Sequence, residues 1–525
     1  MVSTCRLACT LSALSLAVLC VALDNLVIVT CIPQITNEFH ALNEIGWYGS
    51  AYLLTTCAFQ PIFGRLYSHC SAKWTYVSAT LWFTIGSVIS ASAPSSSFLV
   101  VGRAVSGVGA AGLLSGAFII IAMLTTPAKT PIFQGIISAM FGLSSVSAPL
   151  IGGLFTDLIT WRLCFYILVP IGFLAICLLL VCLDLPPARS SWATTYQAIQ
   201  ELDVGGTALF LTAFTCLLFA LQYGGIWYSW ADWHSAGLLA ISGMLTIIWL
   251  CDQVWMGENA MIPLRMIRHP VVAAVGFFIL CIFGQFTVSM YFIPIYFQAV
   301  KGDRAEEAAI NILPLVAAAV VLSLLVGILV SRLALSTPFL FCACSILSAL
   351  GSGLFLTLNT DTANHFTLVF QLVQGVGTGL ALQLPPVAVQ SVLPRQDVPI
   401  GVATILAMEF LGASVFVSVA NNLFNQKLLK YVEARRIPGL ISSQLVEGGV
   451  TSVYDLVSAD DKPKIRQAYA GAIHWPFGVA VALACISVIG AAGYGWKSVG
   501  NTATGVLPPD ESSALDESFR KEIDI

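Results

Sequence analysis

One segment of the chain decides the fold. Residues 101–112 read Val101-Gly102-Arg103-Ala104-Val105-Ser106-Gly107-Val108-Gly109-Ala110-Ala111-Gly112. This segment places one cation and several glycines inside an apolar run over residues 98–123, and a membrane helix needs only about 20 residues to cross a bilayer. The glycines Gly107, Gly109 and Gly112 allow close approach of neighbouring helices. The segment therefore predicts a closely packed membrane helix whose arginine faces a partner or a water-filled cavity.

The composition agrees with a chain whose main solvent is lipid. Of its 525 residues, 58% are hydrophobic and only 10% are charged, and the mean hydropathy is +0.88. Soluble domains are usually about a quarter charged, so a single water-facing globule is excluded. The net charge of −4 gives no sign of a nucleic-acid partner. The 15 cysteines are scattered, and we interpret them as small apolar residues rather than disulfides or metal ligands. Neither a metal nor a cofactor is predicted.

Apolar runs of spanning length recur along the chain. The first begins after Arg6 and resembles a signal peptide, but it continues through Asp24 to Pro33, so we interpret it as a retained membrane helix. We count fourteen runs, over residues 9–33, 45–64, 75–94, 98–123, 132–154, 163–183, 203–223, 235–251, 271–297, 308–331, 338–357, 366–390, 399–424 and 473–495.

A weak internal repeat divides these runs into two halves. Gly107-Val-Gly-Ala-Ala-Gly-Leu113 in the fourth run is matched by Gly375-Val-Gly-Thr-Gly-Leu380 in the twelfth. Parallel halves are a transporter architecture with the substrate site between them. We predict an all-α polytopic membrane protein of fourteen transmembrane helices. Its parts are an N-terminal six-helix bundle (1–184), a linker with two extra helices (185–252), a C-terminal six-helix bundle (253–496) with a long extracellular loop (425–472), and a disordered cytoplasmic tail (497–525).

The distribution of basic residues predicts the orientation. If the N-terminus is cytoplasmic, twelve Lys and Arg lie in the inner segments, whereas the short outer loops hold only Arg162, Lys301 and Arg304. Because short cytoplasmic loops are enriched in Lys and Arg, both termini are expected in the cytoplasm.

Four segments together resemble a known family. The first is Leu23-Asp24-Asn25-Leu26-Val27-Ile28-Val29, and the second is the arginine segment 101–112. The third is Ala148-Pro149-Leu150-Ile151-Gly152-Gly153 followed by Asp157, and the fourth is Tyr291-Phe-Ile-Pro-Ile-Tyr-Phe-Gln298. They are similar to motifs of the major facilitator superfamily, and within it to the 14-span drug:proton antiporters. The most similar members are the fungal pumps that export toxins and other secondary metabolites.

The resemblance implies a function and a set of site residues. It implies proton-coupled export of a small organic molecule, such as a toxin, secondary metabolite or drug, by a monomer in the plasma membrane; a vacuolar or vesicle membrane is the alternative. Pro149, Gly152, Gly153 and Asp157 would form the antiporter motif that gates the cavity. Gly64, Arg65 and Lys73 match the loop motif after the second helix, but Ser68 stands where the family has an aspartate.

Three charged residues lie well inside apolar runs, namely Asp24, Arg103 and Glu409. Charges at membrane depth are functional candidates by default, and we predict that these three couple transport to protons. Arg103 would control the protonation of a nearby carboxylate, or would bond backbone carbonyls as a structural residue. Asp24 would carry a proton, or would tie two helices together. Glu409 would carry a proton or bind a cationic substrate, or would be tied to a neighbouring polar group.

The amides Gln285, Gln374 and Gln383 are the candidates for the substrate cavity, because an amide that faces lipid would be costly. Two other function classes differ in what they require of the sequence. A proton-coupled importer of a siderophore or nutrient would use the same fold. A membrane enzyme would need a convergent set of catalytic side chains, and no His falls in the middle of a run, so an enzyme is not expected. The chain also has no phosphate-binding G-x-x-x-x-G-K-[ST] loop for ATP.

Overall fold

The structure is a computed structural model that describes residues 4–39, 45–126, 129–183, 201–225, 227–333, 337–435 and 461–494. Within these ranges the chain is almost entirely helical, and its one β-bridge is the isolated pair Gly224 and Tyr228. A helix satisfies its own backbone donors and acceptors, which lipid cannot do, so long apolar runs become helices. The prediction of an all-α polytopic fold is confirmed.

The helices are numbered here in chain order. The first seven are α1 (Thr4–Phe39), α2 (Ile45–His69), α3 (Ala72–Ala91), α4 (Ser96–Leu124), α5 (Thr130–Leu158), α6 (Leu163–Tyr166) and α7 (Leu168–Cys182). Those that follow are α8 (Val204–Tyr223), α9 (Trp233–Met256), α10 (Leu264–Arg268), α11 (Pro270–Tyr296), α12 (Ala305–Asn311), α13 (Leu313–Leu333), α14 (Thr337–Phe355), α15 (Asn364–Gly379), α16 (Leu384–Val392), α17 (Val398–Ala434) and α18 (Lys462–Gly493).

Each of the fourteen apolar runs lies mainly in a helix, but the helices differ in length and in how apolar they are. Among the described residues, twelve helical segments are long and apolar enough to cross a membrane. Helices α2 and α3, with 25 and 20 residues, are outside this set. The twelfth run is divided between α15 and α16, because Pro385 and Pro386 cannot donate backbone hydrogen bonds within a helix. The count of fourteen spans therefore stays a prediction.

The prediction of a loop over residues 425–472 differs from the structure at both ends of that range. Helix α17 continues to Ala434, and α18 already begins at Lys462. The apolar side chains of Phe424, Leu428 and Val432 recur every fourth residue and are buried in one cluster with Ile465 and Tyr469. This spacing lines one face of a helix, so Lys427 and Lys430, which suggested a loop, lie on a helix instead. Residues 436–460, and the tail at 497–525, lie outside the described ranges.

The order of packing follows the predicted repeat, although the domain limits at 184, 252 and 496 stay predictions. Helix α4 packs between α2 and α3, and α1 packs against α5 and α7. Later in the chain, α15 packs on α13 and α14, while α11 packs on α17 and α18. Helix α2 meets α17, and α5 meets α13. Helices α8 and α9 pair with each other, and α8 also contacts α2 and α17.

Glycines set the distance of α4 from both of its neighbours. A Cβ atom on Gly107 would overlap Thr55 Oγ1 of α2 and would lie 2.5 Å from the carbonyl oxygen of Tyr52. A Cβ on Gly109 would overlap the backbone of Phe83 in α3. The two glycines therefore face different helices, and both contacts require the absence of a side chain.

The second copy of the repeat uses its glycines in the same way. A Cβ on Gly375 of α15 would lie 2.8 Å from Ala318 Cβ in α13, and a Cβ on Gly377 would lie 2.6 Å from the backbone nitrogen of Ser348 in α14. Thus the G-x-G pattern contacts α2 and α3 in the first copy, and α13 and α14 in the second. The sequence repeat corresponds to a repeat of helix packing.

Candidate functional site

The structure brings together two of the three predicted charged residues. Arg103 on α4 and Asp24 on α1 form an ion pair in which Nη1 lies 2.6 Å from Oδ2, and both side chains are 0% exposed. The same Nη1 also lies 3.3 Å from the backbone carbonyl oxygen of Asp24. A buried ion pair is costly to form, and removal of one partner leaves an uncompensated charge. The pair is thus the strongest candidate for a functional site.

Helix α2 and α6 complete the surroundings of the arginine. Arg103 Nε donates to the backbone carbonyl oxygen of Tyr48 at 2.9 Å. The guanidinium carbon lies 4.5 Å from the ring centre of Tyr52 and 5.9 Å from that of Phe165, distances at which cation–π attraction operates. The Tyr52 hydroxyl donates to the carbonyl oxygen of Val21 at 3.2 Å. Three elements, α1, α2 and α6, therefore hold Arg103 of α4, and no sequence pattern indicated these aromatic neighbours.

The pair is only partly satisfied. Within the described residues, Asp24 Oδ1 and Arg103 Nη2 are buried and have no hydrogen-bond partner. Each unpaired buried polar atom costs free energy on the order of 1–3 kcal/mol. The ion pair is therefore less stable than one in which all four polar atoms have partners. Close contact with the guanidinium favours the ionised carboxylate, whereas withdrawal of the cation would favour uptake of a proton. The site can therefore link a helix movement to a protonation event.

Glu409 lies elsewhere in the molecule. Glu409 is on α17. Two residues near it on that helix, Ile405 and Met408, face α11, where they are the side chains nearest to a Cβ built on Gly276. Among the described residues Glu409 makes no ion pair with Asp24, Arg103 or any other charged group. The proposed coupling residues are therefore one ion pair and one separate carboxylate, and the role of Glu409 stays a prediction.

The antiporter motif lies on α5, against α1. A Cβ on Gly152 would overlap Thr30 Oγ1 and would lie 3.0 Å from Val27 Cγ2, whereas a Cβ on Gly153 would meet nothing within 4 Å. Only the first glycine of the pair is thus required for close helix packing. The side chains of Pro149 and Asp157 lie outside the described residues.

The loop motif begins where α2 crosses α17. A Cβ on Gly64 would lie 2.6 Å from Ala403 Cβ, so this glycine allows contact between two distant parts of the chain. Ser68, which replaces the family aspartate, lies 3.5 Å from the carbonyl oxygen of Gln396 through its Oγ. That distance is at the limit of a hydrogen bond, so Ser68 does not replace a charged contact.

The two basic residues of the motif bind backbone carbonyls. Arg65 Nη2 lies 2.6 Å from the carbonyl oxygens of both Glu258 and Ala260, which follow α9. Lys73 Nζ donates to the carbonyl oxygen of Leu180 near the end of α7, at 2.8 Å. These contacts fix α2 and α3 to neighbouring helix ends, and their part in gating stays a prediction.

Two of the predicted cavity amides form links between helices. Gln285 on α11 donates to Ser352 on α14 at 2.7 Å, and Gln374 on α15 donates to Ser289 on α11 at 2.7 Å. Both side chains are fully buried, and the Oε1 atom of each has no partner among the described residues. Each amide thus retains one free acceptor beside α11.

The third amide, Gln383, lies at the contact of α5 and α13. Its Nε2 donates to the carbonyl oxygen of Ser323 at 2.6 Å, and its Oε1 accepts from the Ser323 hydroxyl at 3.1 Å. A Cβ on Gly135 would lie 2.8 Å from Oε1, and one on Gly327 would lie 2.7 Å from Nε2. The amide therefore fills a space that glycines leave open.

Two polar contacts were not indicated by the sequence. Gln134 on α5 donates to Gln390 on α16 at 3.0 Å, a pairing between residues far apart in the chain. Asp203 caps α8 at a positive φ of 44° and accepts from Gln253 at 3.0 Å and from the backbone nitrogen of Met261 at 2.5 Å. An aspartate before an apolar run is a recognised helix-start signal. The sequence therefore could have indicated that Asp203 caps α8, but not that Gln253 and Met261 donate to it.

Relatives of the chain are found among fungal transporters. The sequence profile of the Major Facilitator Superfamily matches residues 14–417. The MFS-type transporter phomT of Diaporthe leptostromiformis is 42% identical over 489 residues, which cover 92% of this chain and 82% of that protein. The efflux pump aflT of Aspergillus parasiticus is 38% identical over 490 residues, which cover 93% and 95% of the two chains.

Solved structures of low sequence identity share the fold. The proton:xylose symporter XylE, bound to 6-bromo-6-deoxy-D-glucose, aligns with a TM-score of 0.60 at 13% identity over 95% of this chain and 98% of that one. A bacterial homologue of the human lysosomal transporter Spinster aligns with a TM-score of 0.54 at 16% identity, over 92% and 95% of the two chains. From the profile match, the fungal relatives and the helical packing, the chain belongs to the Major Facilitator Superfamily and is a multi-pass membrane protein.

Proposed function

We propose that the chain is a proton-coupled exporter of small organic molecules, such as a fungal secondary metabolite or toxin. The buried ion pair of Asp24 and Arg103 carries the proposal. In this pair one carboxylate lies against one cation, at a depth where an unpaired charge is strongly disfavoured. Transport would proceed when the cation withdraws, the carboxylate takes up a proton, and the two charges meet again on release.

The packing around the pair supports this cycle. Asp24 is on α1 and Arg103 is on α4, while α2 supplies the Tyr48 carbonyl and α6 supplies the Phe165 ring. A small shift of α1 relative to α4 would lengthen both contacts of Arg103 with Asp24, at 2.6 Å and 3.3 Å, while the contacts with Tyr48 and Phe165 do not involve α1. Because Asp24 Oδ1 already lacks a partner, a proton could bind this oxygen without breaking a further hydrogen bond.

The proton gradient can supply sufficient free energy. One proton that moves down a potential of about 100 mV releases about 2.3 kcal/mol, and a difference of one pH unit adds about 1.4 kcal/mol. Together these would sustain a gradient of a neutral solute of roughly a few hundred-fold. Export against such a gradient would need no ATP.

The name of one relative supports the direction of transport. That relative is named an efflux pump, and another an MFS-type transporter. We therefore infer export, with fourteen spans, both termini in the cytoplasm and the plasma membrane as the site of action. The monomeric state is part of the same proposal.

Transport measured in a yeast strain without its own efflux pumps tests this proposal. Cells that express the chain, the Arg103→Ala variant or neither are loaded with a panel of fungal metabolites and dyes, with and without a protonophore. Lower accumulation that a protonophore abolishes would support proton-driven export. Higher, gradient-dependent accumulation would instead identify an importer, and accumulation that is lowered equally with the protonophore present would refute proton coupling.

A further inference from the structure

Two cysteines from distant parts of the sequence meet inside the protein. Cys31 Sγ on α1 lies 3.4 Å from Cys164 Sγ on α6. Their exposed fractions are 0% and 1%. Thr156 Oγ1 of α5 lies 3.8 Å from Cys31 Sγ. The two thiols are therefore enclosed by three helices and separated by about the sum of their van der Waals radii.

Polar contacts one and two turns after Cys31 fix the register of α1 here. Gln34 donates to the carbonyl oxygen of Thr156 at 2.5 Å. Glu38 accepts from Trp161 Nε1 at 2.7 Å and pairs with Arg162 at 2.8 Å. Cys31, Gln34 and Glu38 are spaced by three and four residues, so they share one face of the helix. The contact of the two sulfur atoms thus belongs to a defined interface between α1 and residues 156–165.

We propose that Cys31 and Cys164 are a modification site, which a small peroxide converts to an intramolecular disulfide. The sulfur atoms are already in contact and must approach by about 1.3 Å to reach an S–S bond of about 2.05 Å. Hydrogen peroxide is small and uncharged, so it can enter an enclosed site from which a protein oxidant is excluded.

The reaction proceeds in two steps. One sulfur, as thiolate, attacks a peroxide oxygen and breaks the O–O bond, which gives a sulfenic acid and hydroxide. The second sulfur then displaces the hydroxyl group of the sulfenic acid. In total, two thiols lose two electrons and two protons, one hydrogen peroxide is reduced, and one disulfide and two waters form.

The crosslink would join the elements that surround the buried ion pair. Cys31 lies seven residues, or two helical turns, from Asp24, and Cys164 precedes Phe165, whose ring lies beside Arg103. The disulfide would close a loop between residues 133 positions apart, which restricts the unfolded chain. We therefore expect oxidation to raise the melting temperature of the purified protein.

Peptide mapping of the purified full-length protein tests the proposal. The protein in detergent is treated with hydrogen peroxide, the remaining thiols are alkylated with N-ethylmaleimide, and the chain is digested with pepsin for mass spectrometry. We expect a linked peptide pair that contains Cys31 and Cys164, lighter by two hydrogens than the separate peptides, and its loss after dithiothreitol. This measurement uses the unaltered chain, so it does not depend on how a variant folds.

Single substitutions provide the controls. Cys31→Ser and Cys164→Ser should each abolish the linked pair and the rise in melting temperature. Cys344→Ser should abolish neither, because Cys344 is equally buried but lies beside Ser348 on α14. Recovery of Cys31 and Cys164 as separate alkylated, sulfinic or sulfonic acid peptides after peroxide would overturn the proposal. A link from either one to a different cysteine would overturn it as well.

Discussion

Asp24 Oδ2 lies 2.6 Å from Arg103 Nη1, while Asp24 Oδ1 and Arg103 Nη2 have no partner within the described ranges. The two charges are thus joined by one strong contact rather than the two parallel bonds that an arginine and a carboxylate can form. A single contact can be broken with less reorganisation than a bidentate one. From this geometry we expect different effects of substitutions on transport and on the stability of the protein.

Arg103→Ala should abolish gradient-driven transport, because Arg103 is the only cation that pairs with Asp24 among the described residues. It should also destabilise the fold by about 3–5 kcal/mol, since a buried carboxylate would be left unpaired. The double variant Asp24→Ala/Arg103→Ala should recover much of that stability but no transport. Melting curves and efflux assays on the three proteins check both statements, and full activity of Arg103→Ala would end the assignment.

Glu409→Gln should weaken the pH dependence of transport, or the preference for cationic substrates, because the amide cannot exchange a proton. Glu433→Gln is a matched control on the same helix, as Glu433 is exposed. Initial rates of efflux between about pH 5 and 8 provide the comparison. An unchanged profile for Glu409→Gln would reduce this residue to a structural role.

Gly152→Leu should stop turnover and lower stability, because the new side chain would occupy the position of Thr30 on α1. Overpacking of this kind costs about 1–3 kcal/mol or more. Gly153→Leu should be tolerated, since a Cβ there meets nothing within 4 Å. Equal effects of the two variants on transport and melting temperature would show that contact with α1 is not the reason for this glycine pair.

Gly109→Ala should destabilise the protein, because a Cβ would lie 2.7 Å from the Ala79 carbonyl oxygen and closer still to Phe83. Gly237→Ala on α9 should have the opposite sign, as that position is open and alanine favours a helix by about 0.5–1 kcal/mol. The melting temperatures of the two variants in detergent measure the difference. A stabilising Gly109→Ala would contradict the packing described for α4.

The ion pair of Glu38 and Arg162 predicts a small pH effect. The hydrogen bond from Arg162 lowers the pKa of Glu38. The ion pair therefore adds to the free energy of unfolding above the ordinary glutamate pKa, about 4.3. This contribution is lost as the pH falls below that value and Glu38 becomes protonated. Because Glu38 is 44% exposed, solvent screening should limit the effect to less than about 1 kcal/mol. Glu38→Gln should reduce the loss of melting temperature between neutral and acidic pH, and an unchanged loss would contradict it.

Much of the helical framework can be predicted from the sequence because lipid leaves few alternatives for an apolar run. The errors lie where an amphipathic helix leaves the apolar region. Residues 425–434 carry enough charge to resemble a loop, yet Leu428 and Val432 place a buried stripe along them. Hydropathy averaged over a window does not detect such a stripe, whereas a test for helical periodicity would have detected it.

The sequence identifies single residues of the candidate site, but not how these residues are arranged in space. The cost of a buried charge identified Asp24 and Arg103, but their contact spans 79 positions in the chain and leaves no local signal. The same limit applies to Gln285 and Gln374. The argument that an amide avoids lipid is correct, but it does not separate an amide in a cavity from one bonded to a serine on the next helix.

The glycine contacts of α4 have a consequence for how the protein is made. Helices α2 and α3 precede α4 in the chain and pack against it. Both rest on α4 through Gly107 and Gly109, but α4 is synthesised after them. The contacts of α2 and α3 with α4 therefore form only after α4 has been synthesised, so the two earlier helices have to await their common partner. A bulkier residue at either glycine would then reduce the yield of correctly assembled protein before it could affect transport.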